Sequence, residues 1–262
     1  ISRNNITGIP ANTDNNCPLQ TLKLNHSGVT SIANASTYPA LQYLYVKENA
    51  FPTAYSLSDN TQLKGLAISN LAGNLTEFTA TDNTALTGLD LGGNSNLTTL
   101  TMHGNTAMTK TTAVADDIEG GSGLYIKGLA NLTTVDIADN AFSDFGRNNS
   151  VLGTGIETLI ASGNQFTSFS NSNYDLTDAT NTSDTRKASY VPNASSLEDL
   201  TELVYLDLSN NHIADSVHLW RNTKLEHLDL HGNRTLGDLA TSAADKSAMK
   251  FKKINTLRKY YN

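Results

Sequence analysis

One spacing recurs along the chain and leaves it few folds to choose from. Aliphatic residues stand at positions 1, 4 and 6 and Asn at position 9: Leu41, Leu44, Val46 and Asn49; Leu86, Leu89, Leu91 and Asn94; Leu97, Leu100, Met102 and Asn105. The pattern returns in Leu132, Val135, Ile137 and Asn140, in Ile156, Leu159, Ala161 and Asn164, in Leu203, Leu206, Leu208 and Asn211, and in Leu225, Leu228, Leu230 and Asn233. Leu19, Leu22 and Leu24 fit it with Ser27 in the Asn place. Positions 4 and 6 flank an outward residue, the two-residue period of a short strand with one buried face. One unit cannot bury its own leucines, so coils must stack around a shared core, each buried Leu being worth about 1.5–3 kcal/mol. The Asn sits where the chain turns inward, and its amide can donate to and accept from backbone groups of its own and adjacent coils.

Between these units Ser56–Leu63, Phe78–Leu86 and Val217–Leu225 carry the same spacing about 11 residues out of phase, giving a two-sided coil of about 22 residues. So short a return predicts an extended back side rather than a full helix. With its phrases such as NTALTGLDLGGNSNLTTL, the chain resembles the leucine-rich-repeat family over nearly its entire length. Within that family it is similar to the secreted and surface-exposed bacterial proteins common in Bacteroidetes. The resemblance implies one right-handed solenoid over residues 1–262, of the α/β horseshoe class but mostly β, with about ten coils or fewer. A parallel sheet would line the concave face, and the convex side would be short and largely extended. It also implies a concave face that holds ligands.

Composition narrows the partners. A net charge of −7 with charged residues at 16% lacks the basic footprint that nucleic acid requires. No apolar run approaches the roughly 18 residues of a membrane-spanning helix. A single cysteine, Cys17, excludes an internal disulfide framework and a cysteine-based zinc site. Nucleophile elbows, P-loops, HExxH and Cys–His pairings are missing, so the sequence points away from catalysis, and no cofactor is expected.

Positions 3, 5, 7 and 8 face solvent on the expected sheet and supply the candidate ligand-binding residues. One repeat offers Tyr43, Tyr45 and Lys47, beside Glu48; another offers Tyr205 and Asp207, beside Ser209 and Asn210; its neighbour offers His227, Asp229 and His231. Tyr presents a large amphipathic area at low entropic cost, which suits recognition. Position 5 also reads Asp136, and Asp after the second Leu is equally a frequent filler of this repeat subtype. His227 and His231 are four residues apart on a strand, roughly 13 Å, too far to share one metal ion. Exposed polar contact residues are therefore the better reading, with no metal.

Two insertions interrupt the array, at about 106–123 and 170–196. Each reads either as a functional protrusion or as a solvated excursion. Trp220 reads as a contact residue or as packing on the back side, and the basic end at Lys246–Lys259 either as a cover for the core, as a helix over about 238–250, or as a face toward an acidic partner or lipid surface. Most of the Asn-x-Ser/Thr triplets, which include Asn74, Asn96, Asn131 and Asn193, arise by chance and from the Asn-Leu-Thr repeat phrase. Capping repeats are not visible at either end. The expectation is a piece of a longer polypeptide, with a signal peptide, lipid anchor or partner domain outside it.

These features predict a non-enzymatic scaffold, extracellular or at the cell surface, that recognises a protein or glycan through its concave sheet. The alternative is an accessory subunit of a bacterial outer-membrane protein complex such as a nutrient importer.

Overall fold

The computed structural model describes residues 6–14, 16–71, 74–111, 118–119, 123–143, 155–167, 197, 200–214, 217, 219, 222–233 and the backbone of 256–258. Among the described residues the named elements are a 3-10 turn at Ala33–Thr37 and thirteen short strands. They are β1 (Thr21–Lys23), β2 (Tyr43–Tyr45), β3 (Ala54–Ser58), β4 (Gly65–Ala67), β5 (Glu77–Thr81), β6 (Gly88–Asp90) and β7 (Thr99–His103). β8 (Gly123–Tyr125), β9 (Thr134–Asp136), β10 (Thr158–Ile160), β11 (Tyr205–Asp207), β12 (His227–Asp229) and β13 (Thr256–Arg258) follow.

All pairing is parallel and splits into two sheets. One has five strands in the order β1-β2-β4-β6-β8; the other has eight, β3-β5-β7-β9-β10-β11-β12-β13. From β2 to β9 the chain alternates between them, so two copies of the 1-4-6-9 pattern sit back to back in each coil. The extended return is present, and over this stretch it is a sheet in its own right. The units beginning at Leu19, Leu41 and Leu86 belong to the five-stranded sheet, and those at Leu97, Leu132, Ile156, Leu203 and Leu225 to the eight-stranded one.

The inward residues of both sheets form one core. Leu44, Leu66 and Leu89 on one side and Leu100, Val135, Leu159 and Leu206 on the other are fully buried. Phe51, Phe78, Phe142 and Phe166 fill the larger gaps.

The Asn column behaves as its chemistry predicts. Asn140 Nδ2 donates to the Ile137 carbonyl of its own coil and to the Met102 carbonyl of the preceding one, each at 2.8 Å. Its Oδ1 accepts from the Asn105 N–H at 2.9 Å. Asn60, Asn83, Asn105, Asn140, Asn164, Asn211 and Asn233 continue this column along the eight-stranded sheet. On the other sheet Leu71 stands in the Asn place between Asn49 and Asn94. Threonine has a job at position 2: the hydroxyls of Thr76, Thr87, Thr98 and Thr133 each donate to a carbonyl of the preceding coil.

Position 8 adopts a left-handed backbone, with φ between 52° and 73° at His26, Glu48, Asn70, Gly93, Asp82, Gly104, Asp139, Gly163, Asn210 and Gly232. Gly, Asn and Asp tolerate this region best, which explains their abundance there. Glu48 and His26 are departures from that set, and they pair with each other across adjacent coils.

Candidate functional site

The residues singled out from sequence fall on two sheets rather than one concave face. Tyr43 and Tyr45 lie on β2 of the five-stranded sheet, with Lys47 just beyond it. Tyr205, Asp207, His227, Asp229 and His231 lie on and after β11 and β12 of the eight-stranded sheet. The structure therefore makes two candidate faces, and they differ in what already occupies them.

The first face is covered by the chain itself. Its outward columns are Thr21, Tyr43, Gly65, Gly88 and Gly123, and beside them Lys23, Tyr45, Ala67, Asp90 and Tyr125. Ile118, from the first insertion, is 2% exposed and packs with Tyr45, Ala67 and Tyr43. A Cβ on Gly65 would come within 2.7 Å of the Ile118 carbonyl oxygen, and one on Gly88 within 3.0 Å of the Ile118 Cα. The next residue is fixed as well. The Tyr45 hydroxyl donates to Glu119 Oε1 at 2.8 Å, the Tyr43 hydroxyl to the Glu119 carbonyl at 3.3 Å, and Lys23 Nζ stands 3.9 Å from Oε1. The insertion, expected to protrude or to be solvated, thus places Ile118 and Glu119 on the sheet.

Tyr45 is consequently only 8% exposed, and Lys47 is committed inward. Lys47 Nζ is 3.4 Å from Asp90 Oδ2, with the two side chains 13% and 2% exposed. Asp90 Oδ1 accepts from the Gly92 N–H at 2.9 Å, so the lysine faces the remaining oxygen of a buried carboxylate. Lys47→Met should therefore cost about 1–2 kcal/mol of stability by urea denaturation, the price of an uncompensated buried charge. An unchanged midpoint would show that Lys47 is a surface contact residue after all.

The second face keeps its side chains outward. Register sets Tyr205 opposite His227 and Asp207 opposite Asp229, with Arg258 as the next partner of Asp229 on β13. The Tyr205 and His227 rings lie 5.6 Å apart at 35°, and Tyr205, at 37%, is the one exposed large hydrophobic among the described residues. Each position-5 Asp caps a turn: Oδ1 of Asp136, Asp207 and Asp229 accepts from the N–H two residues on, at 3.1, 2.8 and 3.0 Å. This accounts for the recurrence of Asp at that position while leaving the second oxygen outside that bond. His231 Nδ1 lies 2.6 Å from Asp229 Oδ1 and its Nε2 3.5 Å from Asn210 Nδ2. A second His–Asp contact, not anticipated from sequence, brings His103 Nε2 to 2.9 Å from Asp136 Oδ2 without hydrogen-bond alignment. Among the described residues no group of three or more His, Cys, Asp or Glu side chains could hold a metal ion.

The repeats that carry this second face are also the ones a family model matches: residues 201–243 fit leucine-rich repeats, in two copies. That stretch is similar to a pair of leucine-rich repeats. Its Asn211 and Asn233 belong to the column that runs back to Asn60, so the same nine-position frame continues through the eight-stranded sheet. No curated protein matches the chain.

Among solved structures the functional domain of InlJ from Listeria monocytogenes is 18% identical, with 85% of this chain and 55% of that one covered and a TM-score of 0.34. The internalin InlF of the same species is 19% identical, covering 83% and 68%, with a TM-score of 0.30. A leucine-rich-repeat protein of Leptospira interrogans is 17% identical, covering 89% and 64%, with a TM-score of 0.33. The chain thus spans little more than half the length of the InlJ domain.

Several expectations concern residues outside those described: the insertion over 170–196, Trp220, and the helix over 238–250. Cys17 is half-buried. No helix among the described residues is long and apolar enough to cross a membrane.

Proposed function

We propose that this chain is a non-enzymatic binding scaffold that recognises a protein partner through β10–β12 of its eight-stranded sheet. The observation that carries the reading is the exposed Tyr205 ring, tilted against His227 and bordered by the register pair Asp207 and Asp229. Aromatic residues of this kind dominate the energetics of protein interfaces. Two carboxylates directly opposite on neighbouring strands repel one another, and a cationic side chain from a partner relieves that repulsion. The preferred partner segment therefore presents Lys or Arg beside an apolar group. We place the scaffold outside the cytoplasm, at the cell surface or secreted, on the resemblance of its Asn- and Thr-rich phrases to surface-exposed bacterial repeat proteins.

A phage-displayed peptide library selected on the wild-type chain tests the site. Enriched peptides should carry Lys or Arg and should bind a Tyr205→Ala/Asp207→Asn/Asp229→Asn variant about tenfold more weakly or worse. Substitution of Thr79 and Thr101 by Ala, on the same sheet five and four coils away from β12, should leave binding unchanged. Peptides that bind the triple variant as well as the wild type would remove the site from this face. Binding on a glycan array that the same substitutions abolish would keep the face and change the ligand class.

A further inference from the structure

The outward face of the five-stranded sheet is built to hold something, and the chain fills it with two of its own residues. Three successive coils put glycine in one column, Gly65, Gly88 and Gly123, with Ala67 beside them. That removes side chains from the floor and leaves a notch with Tyr43 and Tyr45 on one side. Ile118 fills the notch so closely that a Cβ on either Gly65 or Gly88 would collide with it. Three polar groups converge on the adjoining residue. The Tyr45 hydroxyl and Lys23 Nζ address its carboxylate, and the Tyr43 hydroxyl takes its backbone carbonyl. Lys23 also stands over the Tyr45 ring, 4.3 Å from its centroid, which holds the ammonium beside the hydroxyl. An apolar notch, a carboxylate clasp and a donor for a peptide carbonyl together specify a dipeptide: an aliphatic residue followed by an acidic one.

We propose that this face is a peptide-recognition site for a partner segment bearing an aliphatic–acidic pair, and that Ile118–Glu119 occupies it as an internal competitor. The site is separate from the Tyr205 face, on the opposite sheet, and does not depend on that reading. A tethered occupant acts at an effective concentration of the order of millimolar. For a free peptide of about 0.1 mM intrinsic affinity, such a competitor weakens binding by roughly tenfold. A partner must therefore bind appreciably better than the internal pair, or arrive at high local concentration, to take its place.

The probe is a fluorescein-labelled peptide with the sequence of residues 115–122, ADDIEGGS, read by fluorescence polarisation against the full chain. The chain carrying Ile118→Gly and Glu119→Gly should bind it roughly tenfold more tightly than the wild type does. Adding Tyr45→Phe and Lys23→Ala to the emptied chain should undo that gain, as should replacing Ile by Asp or Glu by Lys in the peptide. The proposal is overturned if the emptied chain, with unchanged circular dichroism, binds no better than the wild type, or binds a scrambled peptide equally well. Should the emptied chain fail to fold, Glu119→Lys serves in its place, since it keeps Ile118 and sets a like charge against Lys23. That variant should bind the peptide severalfold more tightly than the wild type, and equal affinity overturns the proposal.

Discussion

Asn105→Leu is expected to lower the free energy of unfolding by about 3–5 kcal/mol, although Leu matches Asn closely in shape. Asn105 is fully buried in the middle of the eight-stranded sheet, with Asn83 on one side of it and Asn140 on the other. Its Oδ1 accepts from both the backbone N–H and the Nδ2 of Asn83, each at 3.2 Å. Its Nδ2 donates to the Ala80 carbonyl at 3.0 Å and to the His103 carbonyl at 3.1 Å. Leu can meet none of these groups and admits no water to replace itself. The Asn83 N–H is then left buried without an acceptor, and one such orphan alone costs about 1–3 kcal/mol. Urea denaturation followed by circular dichroism measures the loss. A change below about 1 kcal/mol would mean that the column is ornamental and that leucine burial alone holds the coils in register. Leu71 marks where the shorter sheet already lacks this residue, which makes the longer, uninterrupted column the place for the test.

This part of the fold was legible because the signal is local and repeated. Leu203, Leu206, Leu208 and Asn211 announce a strand, its buried face and its turn within nine positions, and stacking follows from the need to bury the leucines. The assignment of units to sheets was harder to extract, since both halves of a coil use the same spacing. Leu86 and Leu97 each start a good copy, yet they lie on opposite sheets, and only their 11-residue offset separates one case from the other. That ambiguity placed Tyr43 and Tyr205 on one face in the sequence reading. The covering of Tyr45 was not legible in any periodicity, because Ile118 reaches it across more than seventy positions of chain. Two clues were present in the residues themselves: the bulky aliphatic Ile118 set between acidic residues in the insertion, and glycine at position 3 in consecutive coils where Tyr43 would otherwise set the pattern. By contrast, the pairing of Tyr205 with His227 and of Asp207 with Asp229 followed directly from the repeat frame.

The left-handed column at position 8 allows a test in which one substitution repairs another. Gly163 has φ of 65°, and a Cβ placed on it would stand 2.2 Å from Asp139 Oδ1 in the neighbouring coil. Asn70 and Gly93, Asp82 and Gly104, and Asn210 and Gly232 repeat the arrangement, so an Asn or Asp side chain lies in the space that the glycine vacates. Gly163→Asn then incurs two costs, the left-handed backbone for a residue with a Cβ and the collision with Asp139. Together they should destabilise the chain by about 2–3 kcal/mol. Asp139→Gly on its own removes an exposed side chain and relaxes a positive φ of 53°, and it should change stability by less than about 0.5 kcal/mol. In the double variant the same pair is present with its members exchanged, the collision is gone, and only the modest backbone cost of Asn remains. The double-mutant cycle should therefore return a coupling of about 1–2 kcal/mol in the favourable direction. If the two changes simply add, Asp139 swings clear at no cost, and the alternation of glycine with Asn or Asp along the column reflects backbone preference alone.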